Sequence, residues 1–520
     1  MVSALVLAIC RRCRLFHNFA VSKNLNYQDF ALRFAAEFPF GLTKGQEFAV
    51  VALSRFVSTE VDDAALILRG YAGTGKTTLI GALVRTLENC GRKVVLLAPT
   101  GRAAKVFANL SGRPAYTIHK VIYRQQSFRG EGTRFSLGFN RLADAVFIVD
   151  EASMVSSGGS GQGIFGSGLL LDDLIQYVYS GPGCRLLFVG DTAQLPPVGE
   201  EESPALSVNV LRGYGLRVGA VELTEVVRQS ADSGVLAGAT KLRRMLVRHD
   251  MQLPVVCGSR KGEVRFLPGD ELIETLVTAY GEYGTSGTIV VTRSNKRANI
   301  YNNGIRGKIF DREDPLTRGD MVMAVKNNYY WTERLALQLA KDQEEGKPLP
   351  RLPLDFIANG DTAEVVRLHN VHKEHGFNFA DATLRFPDYD DFEIDCRVLL
   401  DTLSSESPSL TDDESHRLYE SVMADYADIP LKKDRLKALR DDPYYNALQI
   451  KYAYAVTCHK AQGGQWPRVF VDQGYLPPDA TGASYLRWLY TAFTRTTDVL
   501  YLVNWPKEQQ EVVEDKHDYE

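Results

Sequence analysis

The sequence predicts an α/β protein with two parallel-sheet domains, and two observations carry that expectation. The first is "GYAGTGKTTLIGALV" at 70–84, a phosphate-loop pattern between an apolar run and a helical repeat. The second is a series of apolar, β-branched runs that end in polar motifs: "KVVLLAPTGRAAK", "AVFIVDEASM", "RLLFVGDTAQLPPVG", "TIVVTRSN" and "YAYAVTCHKAQG". Strands alternating with helical segments build parallel sheets, whose ligands sit at the carboxyl ends of the strands. The motifs form one cluster up to about residue 229 and a second in 285–310 and 447–506, hence two domains.

The phosphate loop is the most specific element. "AALIL" at 64–68 suits a buried strand, and Leu79, Ile80, Leu83, Val84 and Leu87 recur at helical spacing until Gly91 can cap the helix. Between them, Gly73, Thr74 and Gly75 turn backbone N–H groups toward phosphate oxygens, and Lys76 reaches the β- and γ-phosphates. Thr77 presents a hydroxyl to Mg²⁺, and Thr78 follows at the helix N-terminus, where the dipole favours an anion. ATP and Mg²⁺ are the expected ligands.

Composition sets the bounds. At 520 residues the chain holds more than one core, and 24% charged with 45% hydrophobic residues is an ordinary globular balance. A net charge of −4 gives no polybasic signal, so any nucleic-acid surface is local; residues 92–129, with eight Lys and Arg and no acid, are the candidate. Seven scattered cysteines suggest a reducing compartment, and a cytoplasmic location is expected. Cys10 and Cys13 form a lone CxxC pair without the second pair that zinc needs. The apolar stretch at 2–9 is too short to span a membrane and its arginines follow it, against signal-peptide order.

The remaining chemistry sits at strand ends. In "FIVDEAS", Asp150 is placed to hold Mg²⁺ and Glu151 to polarise an attacking water. "GDTAQLPPVG" puts Asp191 and Gln194 where the γ-phosphate is sensed, with Pro196 and Pro197 stiffening the turn. Arg228 in "LTEVVRQ" and Arg495 in "LYTAFTR" are candidates to stabilise charge on the transferring phosphoryl group.

The ordered set of Gln46 in "LTKGQ", "GYAGTGKT", "LLAPTGRAAK", "TIHK", "VDEAS", "GDTAQLPPVG", "LTEVVRQ", "YAVTCHKAQG" and "LYTAFTR" closely resembles the RecD-like and Dda-like branch of superfamily-one DNA helicases, over roughly 41–506. The resemblance implies two RecA-like P-loop domains with a β-hairpin (pin) insertion and an SH3-like β insertion. Gln46 would recognise adenine, and Lys76, Thr77, Asp150, Glu151, Gln194, Arg228 and Arg495 would bind and hydrolyse ATP. Thr100, His119, Thr457, His459 and Lys460 would line a single-stranded DNA path. Phe128 and Phe135, in the hairpin at 121–141, would be the wedge that splits a duplex. An aromatic that packs the hairpin onto its own domain is the alternative for each.

The expected division is an N-terminal appendage at 1–40, a first RecA-like domain at 41–228, a second at 229–310 and 446–510, and the SH3-like insertion with an acidic and helical extension at 311–445. The implied function is an ATP-dependent helicase moving 5′→3′ on single-stranded DNA, acting as a monomer on single-strand/duplex junctions in repair, recombination or replication. A nucleotide-dependent regulatory subunit that does not unwind, and an RNA helicase, stay open, since these motifs mostly touch phosphate.

Overall fold

The structure is a computed structural model that describes residues 26–38, 41–125, 135–158, 166–226, 233–259, 261–341, 352–354, 356–477 and 482–513. Its first sheet contains β1 (Ala64–Gly70), β2 (Val94–Ala98), β3 (Ala115–Thr117), β6 (Val146–Val149), β7 (Arg185–Gly190) and β8 (Arg217–Leu223). The strands are parallel in the order β3-β2-β6-β7-β1-β8. Successive side chains of a strand face opposite ways. In β1, Leu66 and Leu68 accordingly pack with Phe56, Leu79 and Leu83 on one face, and Ala65 and Ile67 with Phe147, Leu174 and Val178 on the other. Burial on both faces is why these strands read as continuous apolar runs. Leu68 lies level with Val189, and Phe188 with Val149, so the neighbours β6, β7 and β1 end close together.

The first domain begins earlier than the sequence suggested. Tyr27–Ala36 is a helix, capped by the Asn26 side chain, that buries Phe30, Ala31 and Phe34 in the core of the first sheet. With Phe30 and Phe34 at 1% and 0% exposure, this part of the expected appendage is core; the i, i+4 aromatic pair was its signal.

Between β3 and β6, β4 (Tyr123–Gln125) and β5 (Phe135–Leu137) pair antiparallel, Tyr123 opposite Leu137 and Gln125 opposite Phe135. Phe128 lies outside the described residues.

The second sheet is also parallel, in the order β10 (Val264–Leu267), β19 (Thr496–Val503), β18 (Trp466–Asp472), β11 (Thr288–Thr292) and β17 (Ala455–Thr457). A short ribbon pairs β9 (Val256–Gly258) with β20 (Gln510–Val512). Inserted between β11 and β17 is a closed barrel of β12 (Met321–Ala324), β13 (Thr362–Glu374), β14 (Phe377–Phe386), β15 (Phe392–Leu399) and β16 (Leu448–Tyr452). Its last strand lies past residue 445, where the sequence reading ended the insertion. β16 pairs with both β12 and β15 to close the barrel, a long-range requirement with no local signal. Helices Asp412–Asp425 and Lys432–Arg440 form the extension and pack Leu418, Val422 and Leu439 against Phe377, Phe379 and Leu399.

A buried ion cluster joins barrel to second sheet. Asp320, just before β12, accepts from Arg306 Nε at 3.0 Å and Nη2 at 2.9 Å, from Arg312 Nη1 at 2.9 Å, from Tyr454 Oη at 3.0 Å and from the Thr317 amide at 2.8 Å. Burial raises its carboxyl pKa, but the Arg306 and Thr317 bonds outweigh this and hold it below the usual range. Because the folded value is depressed, the stabilisation is present above the unfolded carboxyl pKa near 4 and is lost as pH falls below it. Asp320→Ala leaves Arg306 charged, buried and unpaired, and is expected to cost roughly 3–5 kcal/mol. Urea unfolding should show the midpoint fall, and an unchanged midpoint would remove the cluster as the joint.

Candidate functional site

The phosphate loop lies where the register places it. β1 ends at Gly70, and helix Lys76–Asn89 starts from Gly75, whose φ of 80° lies in the left-handed region that favours glycine. Gly73, Thr74, Thr77 and Thr78 surround this turn, and Thr74 Oγ1 donates to the Tyr71 carbonyl at 2.7 Å. Lys76 Nζ is folded back on the loop, donating to the carbonyls of Gly70 at 2.5 Å and Tyr71 at 3.0 Å. A Cβ on Gly70 would stand 2.9 Å from Lys76 Cγ, so the glycine makes room for the stored lysine.

Two acids complete the level edge. Asp150 follows β6, and its Oδ1 accepts from the Glu151 amide at 2.9 Å; Glu151 itself has a φ of 49°, a costly conformation for a non-glycine residue. Burial, then repulsion from Glu151, pushes the Asp150 carboxyl up to about 7, while Lys76 pulls the other way. Asp191 follows β7; burial raises its pKa, opposed by Lys76, Tyr490 and Ala193. Lys76, Asp150, Glu151 and Asp191 therefore share one electrostatic environment. Gln194, three residues on, is buried with Oε1 lacking a hydrogen-bond partner. Positive-φ glycines, a movable lysine, two converging carboxylates, a nearby threonine hydroxyl and an orphaned amide oxygen fit a nucleotide triphosphate with a divalent cation.

Gln46 is placed at this loop but is occupied. Its Nε2 donates to the Thr74 carbonyl at 3.2 Å, and its Oε1 accepts from the Thr43 amide at 3.0 Å in a capping box that starts helix Lys44–Val57. Arg495 is 3% exposed and donates to the carbonyls of Thr491 at 3.0 Å and Gly464 at 3.1 Å and to Thr494 Oγ1 at 3.0 Å, all in its own half. Arg228 lies outside the described residues. A cation that the sequence reading missed does sit at the loop: Arg243, from helix Gly234–Arg248, lies over the Tyr71 ring at 4.3 Å from its centroid.

A cavity of about 750 Å³ is lined by the first domain, the second sheet and the barrel. Thr100, His119, His459 and Lys460 line it, with Arg102, Trp466 and Asn359. Thr457 ends β17 level with Thr292, just before His459. His119 is pulled down to about 4 by burial, so it is neutral at pH 7 and offers hydrogen bonding rather than charge. Lys460 Nζ donates to Asn359 Oδ1, and burial lowers it to about 8. Among the described residues, no helix is long and apolar enough to cross a membrane, and no group of three or more His, Cys, Asp and Glu could hold a metal ion.

The basic stretch is not a continuous patch. Arg102 stacks on Trp466 at 4.1 Å from its ring centroid, but Lys105 donates to the Pro387 carbonyl at 2.6 Å, Arg113 pairs with Glu88 at 2.8 Å, and Arg124 bonds nearby carbonyls. Helix Gly101–Ser111 and its turns spread these residues over different faces, so only part of the charge reaches the cavity.

Fold and site together define a P-loop nucleotide-binding protein with a cavity between its two sheets. Residues 42–252 match the AAA domain family and 452–503 the UvrD-like helicase C-terminal domain family. The chain is 35% identical over 178 residues to the ATP-dependent RecD2 DNA helicase of Deinococcus radiodurans, covering 34% of this chain and 21% of that protein. It is 27% identical over 292 residues to the ATP-dependent DNA helicase dda of Enterobacteria phage T4, covering 54% of this chain and 60% of that one. It thus spans about a fifth of the first protein and 60% of the second. A Pif1 helicase structure at forked double-stranded DNA aligns with a TM-score of 0.44 at 16% identity, covering 91% of this chain and 94% of that one. Over these segments the chain is similar to the ATP-dependent RecD2 and dda DNA helicases.

The barrel places a buried carboxyl at the cavity edge. Asp361, between Gly360 and Thr362 of the lining, accepts from the Ala358 amide at 2.7 Å and Tyr389 Oη at 3.0 Å, yet burial pushes its carboxyl up to about 7. A raised folded value means that its favourable contribution is complete below the unfolded pKa near 4 and is lost as pH rises to about 7. The stability of Asp361→Asn relative to the parent is therefore expected to climb from pH 4 to pH 7 and level off above. Thermal unfolding across that range checks it, and a pH-independent difference would contradict it.

Proposed function

We propose that the chain is an ATP-driven motor that moves 5′→3′ along single-stranded DNA and unwinds the duplex ahead of it. One observation carries the reading: the segment from Asp191 to Val198 begins in the environment of Lys76 and ends in the cavity wall, where Pro196, Pro197 and Val198 lie. A change at the phosphate end has a short path to whatever occupies the cavity. The relatives' names supply the substrate, ATP and DNA, and the polarity follows the same resemblance.

In this reading the parallel sheets are the two RecA-like domains, the barrel is the SH3-like insertion and the β4/β5 hairpin is the base of the pin, with Phe128 and Phe135 as wedge residues. Lys76 exchanges the Gly70 and Tyr71 carbonyls for phosphate oxygens, and Glu151 orients the attacking water. Mg²⁺ would be held by Thr77 and Asp150 and would neutralise charge on the β- and γ-phosphates. Gln194 senses the terminal phosphate. Arg495 and Arg228 reach the developing charge when the halves close, Arg495 by leaving its backbone partners. Thr100, His119, Thr457, His459 and Lys460 hold the strand through phosphate contacts and hydrogen bonds.

Lys76→Ala should abolish DNA-stimulated hydrolysis with an unchanged thermal transition, since the lysine contacts the loop rather than the core. Near-normal turnover in the folded variant would remove the site.

Strand displacement on matched substrates tests polarity: a duplex with a 5′ tail should be unwound and one with only a 3′ tail should not. Stimulation of hydrolysis by RNA but not DNA would reassign the substrate.

A further inference from the structure

The segment that links loop to cavity is gripped from across the interface at three places, all by side chains of the second half. Tyr490 Oη, on helix Ala483–Phe493, donates to Asp191 Oδ2 at 2.6 Å and accepts from the Ala72 amide of the phosphate loop at 2.9 Å. The next residue, Thr491, accepts from the Leu195 amide through Oγ1 at 2.9 Å. Gln462 Nε2 donates to the Leu195 carbonyl at 2.9 Å. Tyr490 and Asp191 are each 1% exposed, so water cannot substitute for a lost bond without the interface parting.

We propose that Tyr490 is the positioning residue that couples the phosphate loop to the cavity wall. Its one hydroxyl serves both bonds, so a movement that shifts Ala72 also shifts the donor to Asp191. From Asp191 the segment passes through Leu195, held above and below, into Pro196 and Pro197, whose rings fix φ and let the turn move as a unit. The unit ends at Val198, which is 82% exposed at the cavity. The phenol thus reads the nucleotide side and sets the position of the wall against the strand. This deepens the proposed motor function and rests on that reading for the identity of the occupant.

The test is Tyr490→Phe, which deletes the shared hydroxyl and keeps the ring. Hydrogen exchange is followed at 191–198 with and without a non-hydrolysable ATP analogue, alongside the ratio of hydrolysis with single-stranded DNA to hydrolysis without it, and the thermal transition. In the parent, the analogue should change exchange at 191–198. In Tyr490→Phe that response should disappear, and the stimulation ratio should fall about tenfold or more, with the variant still folded. Thr491→Val should lower the ratio in the same direction if the grip on Leu195 is part of the device, and it gives a second reading should Tyr490→Phe not fold. A normal exchange response or an unchanged ratio in folded Tyr490→Phe overturns the proposal. A parent that responds to the analogue through Tyr490 but is not stimulated by DNA supports the coupling and overturns the strand motor. A parent with no response to the analogue at 191–198 overturns the coupling and leaves the motor to the strand-displacement test.

Discussion

Three parallel strands ending at one level are the constraint from which the site follows. β1 delivers the phosphate loop, β6 delivers Asp150 and β7 delivers Asp191, and hydrogen bonding in register fixes the spacing of all three ends. The acids are held against their solvation preference, which is why their carboxyl pKa values are raised and why the Lys76 charge matters to both. The cost is spread over fully buried strands, whose apolar contacts on both faces keep the edge from relaxing.

Much of this was legible because it is local. A glycine-rich turn between an apolar run and a helical repeat can be read within a few residues, as can an acid pair at a strand end. What escaped was non-local: Tyr490 meets Ala72 from 418 residues away, and no spacing rule connects them. Asp320 reads as one more surface acid until the fold brings Arg306, Arg312 and Tyr454 around it. β16 joins the barrel only because two distant strands leave it a place.

Two local patterns carried a second signal. The Thr43 to Gln46 spacing is a capping box as well as the start of a family motif, so Gln46 is busy holding its helix and the loop. Phe30 and Phe34 already marked a helix with one buried face, ahead of the assumed start of the first domain. The basic stretch reads differently in three dimensions. Charge counted along a sequence ignores which face each side chain takes, and intramolecular acceptors such as Glu88 and the Pro387 carbonyl consume part of it.

The way the barrel is fastened has a topological consequence. The Asp320 cluster ties it to the second sheet through several charge-assisted bonds, so the two travel as one body. Its link to the first domain is lighter: Lys105 to the Pro387 carbonyl, and the tip at Tyr389 set against Gly101, where even a Cβ would stand 2.1 Å from the Tyr389 hydroxyl oxygen. The barrel would therefore follow the second sheet in any separation of the two sheets, and the contacts at Lys105 and Gly101 are the ones that would part.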